Sequence, residues 1–389
     1  MRGVKAAPLL PMKQLLDHCE AHLADIVQAI ETLVRLESPS TDKAAVDRCA
    51  AVLAGRLRAA GAEVEELVQA ARGNHLRARI PGVGRPVMLL GHFDTVWPTG
   101  TLERMPLHRH GDRLHGPGTF DMKGGIAIAL GAIGALRATG IPHAPITMIW
   151  TADEEIGSAT SRQTIESEAR RSAAVLVLEP ALPGGALKTA RKGCGEYELI
   201  VHGVAAHAGL DPGKGASAIH ELAAQIAAIE RFQDLPRGIT VNVGIVSGGT
   251  RPNVVAEEAR ATVGVRAPTR EAADAVESAF RRLKPVRPGT RLTVGGGFER
   301  PPMERTSAVA QLFTRASELA AALGHELREG AAGGGSDGNF TAALGVPTLD
   351  GLGAIGDGAH AAHEHVEVST LPWRAALVAG LIASFGSST

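Results

Sequence analysis

Three apolar runs, VMLL (87–90), ITMIW (146–150) and AVLVL (174–178), are continuous instead of alternating, the pattern of strands covered on both faces by helices. NHLRARI (74–80) reads as a further strand. Around them the apolar positions fall at helical spacing, from about residue 13 to 60 and again over 124–140. The stretch AAVDRCAAVLAGRLRAAG (44–61) ends on a glycine placed as a C-cap. Helix and strand alternate, which predicts an α/β domain with helices on both faces of its sheet.

Between about Lys192 and Arg300 the pattern changes. EYELIVHGV, ITVNVGIVSGG and ARATVGVRA alternate apolar with polar residues, the mark of a sheet with one wet face. Two amphipathic stretches, GASAIHELAAQIAAIERF and REAADAVESAFRRLKP, lie between those strands. Strand, helix, strand, strand, helix, strand is a compact α+β module. Beyond Arg300 come a helical pattern (307–324), the Gly-rich GGGSDGNF, the strand-like VPTLDGLG and a closing helix (371–386). The chain is thus expected to hold a first domain over residues 1–191, an inserted domain over 192–300, and a segment 301–389 that completes the first.

A length of 389 residues suits more than one core. The 40 basic and 41 acidic residues give no long-range pull toward nucleic acid or an anionic membrane, so neither is expected as a partner. Cys19, Cys49 and Cys194 lie far apart without a C-x-x-C pair. That argues against a disulfide framework or thiolate zinc site, and for free thiols in a reducing compartment. The N-terminus has early positive charge but no apolar core of useful length, and no stretch approaches a membrane span. The expectation is a soluble, cytoplasmic protein.

The polar residues that stand out follow the apolar runs, where open α/β sheets place their ligands. His92 and Asp94 in LLGHFDTV are two residues apart and point to one side of an extended chain. They are a metal ligand with its orienting partner or a solvated loop pair. Asp121 in GPGTFDMKGG lies between glycine pairs, which allow a close backbone approach or merely start a helix. Glu179 caps a strongly apolar strand, and TADEEIGS carries Glu154 and Glu155 side by side. Adjacent residues on an extended segment point oppositely, so the two glutamates are expected to do different jobs. GDGAHAAHEHVEV carries His360, His363 and His365, and their spacing does not single out a ligand. Together these make a nitrogen and carboxylate set without sulfur, suited to zinc, cobalt or manganese. With one shared carboxylate, five such ligands hold two ions.

The motifs GHFDTVWP, GPGTFDMKGG, TADEEIGS, LEPA, AAHAGLDPGKGASAI, RPNVV, VRAPT, RPPME, GGGSDGNF and GDGAHAAHEHV resemble, in order, those of the M20 metallopeptidase family, in its glutamate carboxypeptidase branch. The resemblance implies a zinc-peptidase-like catalytic domain built on a mixed sheet, and a ferredoxin-like inserted lid and dimerisation domain. It implies that His92, Glu155, Glu179 and His360 bind zinc and that Asp121 bridges two ions. Asp94 would orient His92, Glu154 would be the general base and acid, and the Asp121–Met122 peptide would be cis. His360 is preferred over its neighbours because the family pattern places glycine two before the ligand and glutamate four after it, met by Gly358 and Glu364. His207 would reach a partner subunit's active site in a homodimer and polarise the scissile carbonyl. Asn253 and Arg266, and more weakly Arg300, would bind the substrate backbone or carboxylate. After the last ligand this chain has Ala361, Ala362 and His363 where many relatives carry a polar residue or proline.

The function that follows is a two-zinc exopeptidase acting on a small peptide or N-acyl amino acid, hydrolysing an amide next to a free carboxylate. An N-acyl amino acid deacylase on the same scaffold is the enzymatic rival. A non-catalytic metal- or ligand-binding protein is the rival of another class.

Overall fold

A computed structural model describes residues 11–386; the first ten residues of the N-terminal stretch read above lie outside them. The chain forms two units, Met1–Thr189 with Arg305–Ala331 and Ser336–Thr389, and Ala190–Glu304 with Ala332–Gly335. The short return 332–335 falls in the second unit and not with the C-terminal segment.

The first unit is built on a six-stranded mixed sheet. Its strands run in the order Glu63–Leu67, His75–Ile80, Ile146–Thr151, Val87–His92, Ala174–Val177 and Thr348–Leu349. The first three pair antiparallel and the last four parallel. Every residue of Val87–His92, Ile146–Thr151 and Ala174–Val177 is buried, as their continuous apolar runs require. Leu89, Met148 and Leu176 face the larger core, with the helices Lys43–Ala59, Gly124–Thr139 and Leu371–Ser384. Leu90, Ile149 and Val177 face a smaller one with Ile165, Ala169 and Phe340.

The stretch Thr119–Thr139, a helix from Gly124 onward preceded by a turn with non-helical Asp121 and Met122, is long and apolar enough to cross a membrane by length and composition. This departs from the sequence-based expectation that no stretch approaches a span. Its apolar residues, Ile126, Ala129, Ile133 and Leu136 among them, are spent in the core. A small four-stranded sheet that no periodicity announced joins His108–His110, Arg113–His115, His365–Glu367 and Gly356–Asp357.

The second unit is an antiparallel sheet in the order Thr240–Gly248, Glu258–Ala267, Gly193–His202 and Arg291–Arg300. That order, with the helices Ala218–Ile229 and Arg270–Arg281, is the ferredoxin-like arrangement. Its core holds Tyr197 stacked on Phe280 at 3.9 Å. Alternation in Glu258–Ala267 buries Ala259, Ala261, Val263, Val265 and Ala267 and leaves Arg260 and Arg266 on the other face.

Candidate active site

Parallel register decides which side chains meet. His92 stands opposite Thr151, and Leu90 opposite Val177, so Glu179, two residues beyond, comes level with His92 at the carboxyl end of the sheet. Gly91 precedes His92 because a side chain there would meet Met122 Cε at 2.4 Å and Trp150 at 2.8 Å. The loop bearing Asp121 closes over this end, and its Asp121–Met122 peptide is cis.

Five side chains gather here as two groups: His92, Asp121 and Glu179, and Asp121, Glu155 and His360. His92 Nε2 lies 3.3 Å from Asp121 Oδ1 and 3.4 Å from Glu179 Oε1. His360 Nε2 lies 3.4 Å from Asp121 Oδ2 and 3.2 Å from Glu155 Oε2. Asp121 thus offers one oxygen to each group. His360 reaches its place from a left-handed backbone, φ 60°, an uncommon conformation for a side chain of this size.

The donors fit a pair of divalent cations better than they fit one another. His92 Nε2, Asp121 Oδ1 and Glu155 Oε1 are buried without a hydrogen-bond partner, a costly state for polar atoms that nothing else engages. Ligands held about 2.0–2.1 Å from a tetrahedral zinc stand about 3.3–3.4 Å apart, close to the 3.2–3.4 Å between each histidine and its carboxylates. His92 Nδ1 faces the Asp94 carbonyl at 3.0 Å. A carbonyl only accepts, so the neutral ring carries its proton on Nδ1 and presents a lone pair at Nε2.

The charges reinforce this picture. Burial pushes the His92 pKa down, but Asp121, Asp94 and Glu179 override it and hold it well above the ordinary range. Asp121 and Glu155 raise His360 to about 10. Burial pushes Asp121 up, and the two imidazoles more than reverse it. For Glu155, burial prevails over His360 and the pKa rises. Carboxylates that push both imidazoles toward the protonated form concentrate negative charge that cations can neutralise instead.

Asp94 does more than orient His92. Its carboxylate is 3.5 Å from His92 Nδ1, and it accepts the backbone N–H groups of Glu154 and Glu155, both at 3.3 Å, and the Ser40 hydroxyl at 2.7 Å. The main contact to His92 comes from the Asp94 backbone. The two glutamates lie on a 3-10 turn, Glu154–Ile156, and not on the extended segment expected. Glu155 joins a group, while Glu154 belongs to neither.

Several residues of this site were not singled out from the sequence, although Asp337 stands in the GGGSDGNF motif. Asp337 accepts from the Ser158 hydroxyl and, at 3.2 Å, from Thr151 Oγ1. His75 Nδ1 accepts the Ala152 N–H, while its Nε2 lies 2.9 Å from Thr160 Oγ1. Thr160 in turn gives its hydroxyl and N–H to Asp153. Behind Glu179, whose carbonyl accepts the Gly353 N–H at 2.9 Å, buried Arg374 donates to the Gly353 carbonyl. His363 lies 3.7 Å from Asp357 and the His365 ring lies tilted against His115, and neither joins a group.

The other predicted residues lie in the second unit. His207 and Asn253 are brought together by a bridge between His207 and Val254 and by the Ala208 N–H bonded to the Asn253 carbonyl. His207 Nδ1 accepts the Gly209 and Leu210 N–H groups, each at 3.1 Å, so its neutral ring carries the proton on Nε2. Arg266 and Arg300 both stand opposite Cys194, on one face of the sheet.

Residues 88–384 match the profile described as Peptidase family M20/M25/M40. The chain belongs to that family. Carboxypeptidase G2 of Pseudomonas sp. (strain RS-16) is 29% identical over 376 residues, covering 93% of this chain and 89% of that protein. Acetylornithine deacetylase of Myxococcus xanthus is 31% identical over 263 residues, 63% of this chain and 65% of that protein. Among solved structures, the Bacillus subtilis YXEP protein, described as a dinuclear metal binding peptidase of the M20 family, superposes with a TM-score of 0.70 at 16% identity. It covers 94% of this chain and 98% of that one. As a member of this family the protein is a hydrolase.

Proposed function

We propose that the protein is a two-zinc exopeptidase that cleaves an amide bond next to a free carboxylate, releasing a C-terminal residue such as glutamate. The observation that carries this reading is the pair of ligand groups sharing Asp121, with Glu154, next to Glu155 in the chain, outside both. His92, Asp121 and Glu179 would hold one ion, and Asp121, Glu155 and His360 the other. Such ions, when bound, polarise an amide carbonyl and make water acidic enough to attack at neutral pH. Glu154 takes the proton of the attacking water and delivers it to the leaving nitrogen. Its place is set by the Asp94 carboxylate, which holds the backbone of the turn. His207 donates its Nε2 proton to the developing oxyanion across a homodimer, a role that its Nδ1 contacts support. Asn253, Arg266 and Arg300 bind the substrate backbone and carboxylate. The similarity to carboxypeptidase G2 supports the choice of substrate class.

Glu154→Gln tests the assignment. Turnover is expected to fall about 10²–10⁴-fold while both ions remain bound; near-normal turnover with the ions in place would remove Glu154 from its role. The similarity to acetylornithine deacetylase favours a second reading, hydrolysis of N-acyl amino acids. Rates on C-terminal glutamyl peptides and on N-acetyl amino acids separate the two: preference for the acetylated compounds replaces the first reading by the second.

A further inference from the structure

We propose that Glu364 is a positioning residue for the metal groups, fixing Asp121 and His360 against each other; the inference rests on the two-ion reading above. The side chain is fully buried, 0% exposed, and its carboxylate takes four donors. Oε2 accepts the Trp97 indole N–H at 2.8 Å and the Gly118 N–H at 2.9 Å. Oε1 accepts the Phe120 N–H at 2.9 Å and the Asp121 N–H at 3.0 Å. The backbone adds a fifth tie to the same loop, since the Glu364 carbonyl accepts the Gly116 N–H at 3.2 Å. In the other direction the Glu364 N–H donates to the Ala361 carbonyl, and the Ala361 N–H to that of Gly358, closing the turn that holds His360.

One residue therefore fastens the loop that carries the shared ligand to the turn that carries the last one. Asp121 and His360 meet within a single ligand group, and their 3.4 Å approach is set from behind by Glu364. A glutamine of the same shape cannot substitute. Its NH2 group would face two N–H donors, so at least two of the four contacts become donor against donor. Removing a partner that orients metal ligands lowers metal affinity by about 10–100-fold. The loss falls chiefly on the ion of the Asp121, Glu155 and His360 group, because both Asp121 and His360 depend on Glu364.

The experiment counts ions and measures their affinity by competition with a chromophoric chelator, using zinc on the full-length chain and its Glu364→Gln variant. The wild type is expected to hold two zinc ions. The variant is expected to hold one of them about as tightly and to release the other at chelator levels at least tenfold lower. If the wild type holds fewer than two, the two-ion reading falls and this inference with it. If the wild type holds two and the variant keeps both affinities within twofold, the inference alone is overturned. The unfolding temperature of the two zinc-free proteins supplies the control: a drop there with both affinities unchanged assigns Glu364 to the fold only. Should the glutamine variant not fold, Glu364→Asp carries the test, with intermediate weakening of the same ion expected and equal retention of both overturning the proposal.

Discussion

At the scale of single residues, the ligands and the groups that hold them are different in kind. His92, Asp121, Glu179, the pair Glu154 and Glu155, and the cluster of His360, His363 and His365 stood out because each follows an apolar strand or stands in a Gly-rich turn, while the choice of Glu155 and His360 as ligands came from the family resemblance. Asp337 stands in the Gly-rich GGGSDGNF, but nothing in that stretch announced its partner. It acts on Ser158, 179 residues away in the chain, and only folding brings an acid and a hydroxyl from such distant segments together. Asp94 was legible as a partner of His92, but its carboxylate serves mainly the backbone of Glu154 and Glu155, which no side-chain pattern encodes. The buried Asp337 carboxylate is expected to matter through charge-assisted bonds. Asp337→Asn should cost about 1.5–3 kcal/mol of stability, read as a lower unfolding temperature, and should reduce turnover more than Ser158→Ala does. Equal stability of Asp337→Asn and the wild type would show that Ser158 and Thr151 need no anion there.

At the scale of elements, the continuous strands and the long helices were readable because burial on two faces, or at helical period, repeats over many residues. The histidine-bearing sheet was not. Its strands, such as His108–His110 and Arg113–His115, are three residues long, too short for any period to appear. Nor was the turn at Glu154, where a 3-10 geometry replaces extended chain. The 152–160 segment that contains this turn is braced by His75, whose pKa is lowered by burial, with nearby Asp153, Asp94 and Asp337 opposing. A histidine whose folded pKa lies below its ordinary 6.5 favours the folded state above that pH and loses its contribution as pH falls through the folded value. Protonation would also set a second N–H against that of Ala152. Thermal unfolding should therefore show the wild type losing stability more steeply below pH 6.5 than His75→Gln. Parallel curves for the two proteins would remove His75 from the acid response.

At the scale of the whole molecule, the interruption near residue 190 was legible as a switch from continuous to alternating strands, because a sheet with one wet face has a different period from one with none. The return of residues 332–335 to the second unit was not, since four glycine- and alanine-rich residues carry no period. Each unit has a core of its own. If two zinc ions bind the folded first unit as proposed, each would add about 4 kcal/mol at 1,000 times its Kd. Stripping them with chelator should accelerate amide hydrogen exchange at Leu90 and Val177 and leave the Tyr197 strand unchanged. Uniform acceleration in both units would contradict their independence. The first unit is also assembled from both ends of the chain: Thr348–Leu349 lies beside Ala174–Val177, and His360 and Glu364 arrive later still. During biosynthesis the ribosome therefore exposes His92, Asp121 and Glu155 long before their last partner exists. A nascent chain cannot complete the group that needs His360 until that residue has been made.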